Sequence, residues 1–300
     1  MLTILLSLAA AAGYGGSDFA AGLATRRASV IRVTLLATAV SLAVMGLALA
    51  LTGAGPPAPR AVAWGSAAGL AGVTGALALY LGFRHAAFSV AGPLSAVGAA
   101  GFSVLAGLLL GERPTALALI GIALALPAIA GVSASARAPS GEEAAAPSPS
   151  PGQPAVTRRR RVPAGVSYGL VAGACFALLF IGLDEAGSGS GLWPVFGGQA
   201  AALVAVGCLA AFTGDIRLPG ARGGRLAALA GLTGAPGTIL YFIATHHGLL
   251  AVAAVITSLY PAVTIMLARV MLGERLTVIR LAGLSLAAAS VALIAVGGAG

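Results

Sequence analysis

The sequence predicts an all-α integral membrane protein, with ten transmembrane helices arranged as two inverted five-helix repeats around a central cavity. Three observations carry that prediction. First, 59% of the 300 residues are hydrophobic, 8% are charged, and the mean hydropathy is +1.00. A soluble domain carries about a quarter charged residues, so this chain has too few charges to build a water-facing surface and must be solvated mostly by lipid. Second, clusters of Arg, Pro and Gly divide the chain into ten apolar runs of near-bilayer length. Third, the last five runs repeat features of the first five at a fixed offset.

A hydrocarbon core is crossed by about 20 apolar residues, with a range of roughly 17 to 25. The runs lie near 2–24, 30–52, 61–81, 87–110, 116–133, 164–183, 192–213, 223–244, 248–272 and 277–297. Arg26 and Arg27 close the first, the prolines before Arg60 close the second, and Arg84 closes the third. Gly-Glu-Arg turns at 111–113 and 273–275 close the fourth and ninth. Asp184, Glu185 and Asp215 stand at helix ends, and His246 and His247 fall in a loop. The segment 134–163 differs in kind: it is rich in Pro, Ser and Ala, lacks apolar period and aromatic residues, and reads as a disordered linker outside the transport path. It divides the chain into units 1–133 and 164–300. Deleting Pro147–Gln153 is expected to leave activity and membrane abundance intact; a large loss of activity at normal abundance would give the linker a further role.

Sliding the chain by 162 residues lays His85 on His247, Gly111-Glu112-Arg113 on Gly273-Glu274-Arg275, Thr115 on Thr277 and Gly121 on Gly283. The same offset puts Gly69, Gly72 and Gly75 on Gly231, Gly234 and Gly237. Each unit holds five spans, an odd number, so the second enters the membrane from the opposite side to the first. Such inverted repeats are common in transporters, with the substrate site at their interface near the midplane.

The net charge of +9 is not a nucleic-acid footprint. Every basic residue is Arg, and the arginines fall between apolar runs, which is how a multi-pass protein orients itself. One set of alternate loops holds 15 of them and the other only Arg60 and Arg113. Taken alone, the count puts the linker in the cytoplasm and both termini outside. Cys175 and Cys208 lie within apolar runs without metal-ligand spacing and read as small apolar side chains. No basic stretch follows Met1, so a cleaved signal peptide is not expected.

The paired GER motifs, each followed by Thr and a Gly-containing helix, resemble the EamA domain of the drug/metabolite transporter (DMT) superfamily. Residues 258–297 are similar to that domain's last two helices, residues 92–133 to the same pair in a first copy, and "YGGSDF" (14–19) to the pattern in its first helix. The resemblance covers both units and leaves out the linker. It implies ten helices in two inverted repeats and export or import of small metabolites, a permease or efflux role in the cytoplasmic membrane. It also implies both termini in the cytoplasm, against the Arg count. Many members carry Asn where this chain has Asp18.

Asp18 is the acid that stands deep in a span. About 8 residues separate it from Arg26, roughly 12 Å at 1.5 Å per residue. Such a carboxylate costs about 2.5–3.5 kcal/mol at a helix centre and faces a bundle interior or an aqueous cavity. It is a candidate for binding a substrate cation or carrying a proton, with Tyr14 one turn earlier and Ser17 beside it; bonding to a neighbouring helix is the structural alternative. Tyr241, Tyr260 and Trp193 line a pocket or form core and interfacial belt. Pro93 and Pro261 are helix kinks, beside a cavity if functional. Glu112, Arg113, Glu274 and Arg275 are either turn residues that pair or cap the next helix, or latches of a gate. His246 and His247 lack a third metal-binding partner, so no metal is expected, nor any cofactor.

These features favour a secondary transporter working by alternating access on a small metabolite. Its partners are that solute, the lipid bilayer and, if Asp18 is a proton carrier, protons; nucleic acid is not expected, and the chain acts as monomer or homodimer. No phosphate-binding loop is present to use ATP. The alternatives are a polytopic enzyme of lipid or prenyl transfer and a non-transporting accessory subunit. Transferases of that kind hold Mg²⁺ and diphosphate with several acids, and here no two acids share a predicted span.

Overall fold

The computed structural model describes residues 1–53, 55–85, 88–134, 156–272 and 278–297. Among them all regular structure is helical. The helices are α1 (Leu2–Thr25), α2 (Val30–Thr52), α3 (Pro59–His85), α4 (Phe88–Leu109), α5 (Ala116–Ala134), α6 (Val156–Glu185), α7 (Trp193–Thr213), α8 (Ala221–Thr245), α9 (Leu250–Thr257), α10 (Tyr260–Leu272) and α11 (Val278–Gly297). Seven described stretches are long and apolar enough to cross a membrane, and Leu94–Leu109, Ala116–Ile129 and Leu281–Ile294 are shorter apolar helices. Residues 135–155 of the expected linker lie outside the described residues. Its last part is helical, since α6 begins at Val156; a run of four arginines, good helix formers, accounts for this.

The ninth run is one stretch of membrane length, Leu250–Met271, with an interrupted helix. It is split into α9 and α10 at Ser258-Leu259. Pro261 is the second residue of α10, not a mid-helix kink. It has no N–H, so the carbonyl of Thr257 loses its ordinary helical donor, and Leu259 N–H turns back to Ile256 O at 3.1 Å. The prolines inside described helices include Pro127 in α5 and Pro236 in α8, which the sequence reading did not single out. Helix ends follow local chemistry elsewhere. The Ser29 hydroxyl caps α2 by accepting from Arg32 N–H at 3.3 Å. Gly53 and Gly214 end α2 and α7 in the left-handed region, at φ 59° and 68°, where glycine has no Cβ to clash.

Contacts fix which helix ends lie together. At one end, here called upper, Thr3 Oγ1 donates to His247 O at 2.8 Å, Trp193 Nε1 to Gly55 O at 2.8 Å, and Thr115 Oγ1 to Gly297 O at 2.9 Å. At the lower end, Asp215 in the α7–α8 loop takes hydrogen bonds from Ser29 and from Arg32 at the start of α2. Large apolar side chains such as Leu51, Phe212 and Val270 stay exposed on the flanks, the pattern of a surface solvated by lipid.

Small residues let the helix backbones approach. Gly13 of α1 lies against Gly237 of α8, and Gly75 of α3 against Cys175 of α6. The offset of 162 carries Gly13 to Cys175 and Gly75 to Gly237, so the two contacts exchange. Likewise α5 packs on its counterpart α11, with Gly131 against Gly283. On the α3–α7 seam a Cβ at Gly69 would collide with the Gly198 backbone, whereas a Cβ at Gly207 of α7 would meet nothing within 4 Å. Gly69→Ala is therefore expected to lose about 1–3 kcal/mol to overpacking, and Gly207→Ala to be neutral or gain roughly 0.5–1 kcal/mol. Thermal unfolding of the detergent-purified variants measures both, and equal midpoints for the two would refute the seam.

Candidate functional site

The helices enclose a cavity of about 170 Å³. Seven helices wall it: α1, α2, α3, α6, α7, α8 and the start of α10. α1 contributes Tyr14, Ser17 and Asp18, and α2 contributes Thr34, Thr38 and Ser41. Gly65, Gly69 and Gly72 keep the α3 wall bare, and Tyr80 closes it. From the other half come Phe176, Leu179, Phe180 and Leu183 of α6, Val195 and Gln199 of α7, and Thr238 of α8.

Asp18 stands in this wall, seven residues before the end of α1 at Thr25, roughly 10 Å at helical rise. Its hydrogen-bond donor among the described residues is the Tyr80 hydroxyl at 3.4 Å, long for an O–H···O bond. It has no ion-pair partner among them. The carboxylate is thus held in a membrane span with most of its acceptor capacity uncommitted, which is costly unless a cation or proton arrives. Thr34, buried to 4% exposure, also leaves its hydroxyl without a partner. Three other polar groups of the wall are engaged. The Tyr14 hydroxyl donates to Thr238 Oγ1 at 3.1 Å, Ser41 Oγ to Gly231 O at 3.0 Å, and Gln199 Nε2 to Thr38 O at 3.2 Å.

The residues singled out from sequence separate here. Asp18, Tyr14, Ser17 and Tyr260 share the cavity wall. Tyr260 is buried there, its hydroxyl 3.0 Å from Ser95 Oγ. Tyr241 does not line the cavity. It stands one layer behind, stacked on Phe180 at 4.3 Å between ring centroids and donating to Phe180 O at 3.3 Å. Trp193 sits at the upper end, edge-on to Phe196 at 5.9 Å. Pro93 falls within the bounds of α4 and Pro261 is buried away from the cavity wall. Thr34 and Tyr80 were missed by the sequence reading: a Thr and a Tyr in apolar helices carry no signal of what they face.

Glu112 neither pairs with its neighbour nor caps the next helix. Its carboxylate reaches into the other half and accepts the first two N–H groups of α9, from Leu250 and from Ala251, the latter at 3.0 Å. Desolvation raises this carboxyl above its ordinary range, partly offset by the two N–H donors. Arg113 is exposed. Glu274 and Arg275 lie outside the described residues. Nearby, Asp184 Oδ1 accepts from Thr245 Oγ1 at 2.6 Å and His246 Nδ1 lies 2.7 Å from Phe242 O.

Helices of membrane length around a shared cavity define a multi-pass membrane protein. The chain belongs to the EamA-like transporter family, a domain of the DMT superfamily, whose family model matches residues 1–134 and 163–296. Members of that family are transporters that handle small solutes in a membrane. A solved crystal structure of a protein 14% identical to this chain superposes with a TM-score of 0.75, covering 99% of this chain and 97% of the other, which bears on the fold alone. No curated protein matches the chain.

Proposed function

We propose that the protein is a secondary transporter that moves a small solute across the cytoplasmic membrane by alternating access. In this reading it has ten spans in two inverted repeats, 1–133 and 164–300, joined by the linker 134–163. The observation that carries the reading is the cavity itself: both family-matched segments wall it, and it holds a carboxylate without an ion-pair partner among the described residues. The exchange of the Gly13–Gly237 and Gly75–Cys175 contacts under one offset supports a two-fold relation between the repeats. Asp18 is the binding group, flanked by Tyr14 and Ser17. A prenyl or lipid transferase would need a cluster of acids for its metal, and the cavity wall has Asp18 alone among the described residues.

Purified protein in liposomes tests the activity: solute flux should depend on the protein and need no ATP. Orientation is tested by labelling. The Arg-rich loops are those of the lower end, which the positive-inside rule places in the cytoplasm. In a background without Cys175 and Cys208, a cysteine at Arg113 and one at Arg275 should react with an impermeant thiol reagent from opposite sides, Arg113→Cys from outside. Labelling of both from one side refutes the inverted repeats, and reversal of the two sides refutes only the orientation.

A further inference from the structure

We propose that the cavity takes a small amphipathic primary amine, with its ammonium group at Asp18 and its apolar tail against α6, and that it rejects zwitterions and anions. This rests on the transporter reading for the site's use, but its chemistry follows from how the two halves differ. The offset of 162 that relates the halves pairs Tyr14 with Phe176, Ser17 with Leu179 and Asp18 with Phe180. All six of these residues line the cavity. One copy of the same helix thus presents a phenol, a hydroxyl and a carboxylate, and the other presents two phenyl rings and an isobutyl group. Tyr80 of α3 is likewise matched by Phe242 of α8. A duplicated frame has been given one polar wall and one apolar wall.

The two walls also differ in depth. Asp18 and Thr34 lie toward the lower end, near the α1–α2 turn, while Leu183 and Val195 lie toward the upper end, near the α6–α7 connection. The polar groups contributed by α7 and α8, Gln199 and Thr238, are engaged with Thr38 O and with Tyr14 and Gly234. Among the described residues, what is left for a ligand is a carboxylate with the Ser17 and Thr38 hydroxyls on the α1–α2 side, and apolar surface on the α6 side. A primary ammonium has three donors and no acceptor, which suits a carboxylate with hydroxyl oxygens in the same wall. No basic side chain lines the cavity among the described residues, so a ligand carboxylate would be desolvated without an ion-pair partner. At about 170 Å³ the space is below the roughly 300 Å³ at which drug-sized ligand pockets begin, so the ligand is small.

The test is titration calorimetry on the full chain in detergent with three matched probes: 2-phenylethylamine, phenylalanine and 3-phenylpropionate. The amine should bind, phenylalanine at least about tenfold more weakly, and 3-phenylpropionate not at all. A series from methylamine to hexylamine needs no variant: affinity should rise by about fourfold per methylene until the apolar wall is covered. Leu179→Ser, checked for an unchanged unfolding midpoint, should flatten that series and leave methylamine where it was. Equal affinity for phenylalanine, a flat series in the unaltered protein, or no binding of any amine overturns the proposal. Liposome flux separates it from the reading beneath it. Protein-dependent flux of a zwitterion or anion without amine binding leaves a transporter and removes this ligand class. Amine binding with no flux keeps the site and removes the transporter.

Discussion

Asp18→Asn should insert into the membrane at normal abundance, unfold at the same temperature or higher, and lose solute binding by about a hundredfold or more at every pH. The stability expectation follows from the site. Asp18 gains one long hydrogen bond, from Tyr80, and no ion pair among the described residues, so removing its charge relieves a desolvation cost without breaking a pair. Asparagine keeps the shape and can still accept from Tyr80. The loss of binding follows from the same facts: the cavity wall offers no other charge among the described residues to hold a cation. The variant therefore separates stability from function, which a packing residue would not do. Two measurements suffice, thermal unfolding and binding or exchange across pH. If exchange survives and only accumulation driven by a pH gradient is lost, Asp18 carries a proton instead. If affinity and gradient-driven accumulation are both unchanged, Asp18 is a packing residue.

The helical membrane class was legible because lipid imposes a one-dimensional rule: a span must be apolar for about 20 residues, and composition alone reveals it. The site was legible only where a residue broke that rule. Asp18 stood out because an acid in a span is rare. Thr34 and Tyr80 broke no rule, since a helix tolerates either in lipid or in protein, and what they face is set by packing between α1, α2 and α3. Tyr241, for which pocket and core were both open, is buried and stacks on the Phe180 ring, which lines the cavity. The break in the ninth run was also hidden. Pro261 signals a lost hydrogen bond, but a kink and a break look alike in sequence.

The contrast between the two walls shows what internal repetition does and does not reveal. The offset of 162 located matching positions, and one pair of contact glycines kept its identity: Gly75 and Gly237 each lie where a helix from the other half approaches within about 3 Å of a Cβ position. The matched cavity residues of α1 and α6 diverged in chemistry while the frame stayed. Difference between matched positions, rather than likeness, was the signal for the site, and it became readable once the lining residues were known.

Glu112→Ala should cost of order 2 kcal/mol of stability and open the upper end of the cavity. The carboxylate receives two charge-assisted hydrogen bonds from the start of α9, each worth roughly 1.5–3 kcal/mol when intact; partial exposure of Glu112 lets water replace part of this. Its partner lies 138 residues away in the other family-matched segment, so rocking of one repeat against the other would have to break this cap. A cysteine at Leu183, which lines the cavity below the upper end and is 1% exposed, should react several-fold faster with an impermeant thiol reagent in Glu112→Ala than in the parent. Glu112→Gln gives a second, pH-dependent readout. Desolvation, with a further push from the Asp184 charge, raises the Glu112 carboxyl in the folded chain. The protonated form is therefore favoured by folding, and its contribution to stability is complete below the ordinary carboxylate pKa and lost as pH rises through the raised value. The unfolding midpoint of the parent should fall across that acid window by more than that of Glu112→Gln, which does not titrate. Parallel pH profiles for the two, with unchanged labelling at position 183, would leave Glu112 as a turn residue without a part in closing the cavity.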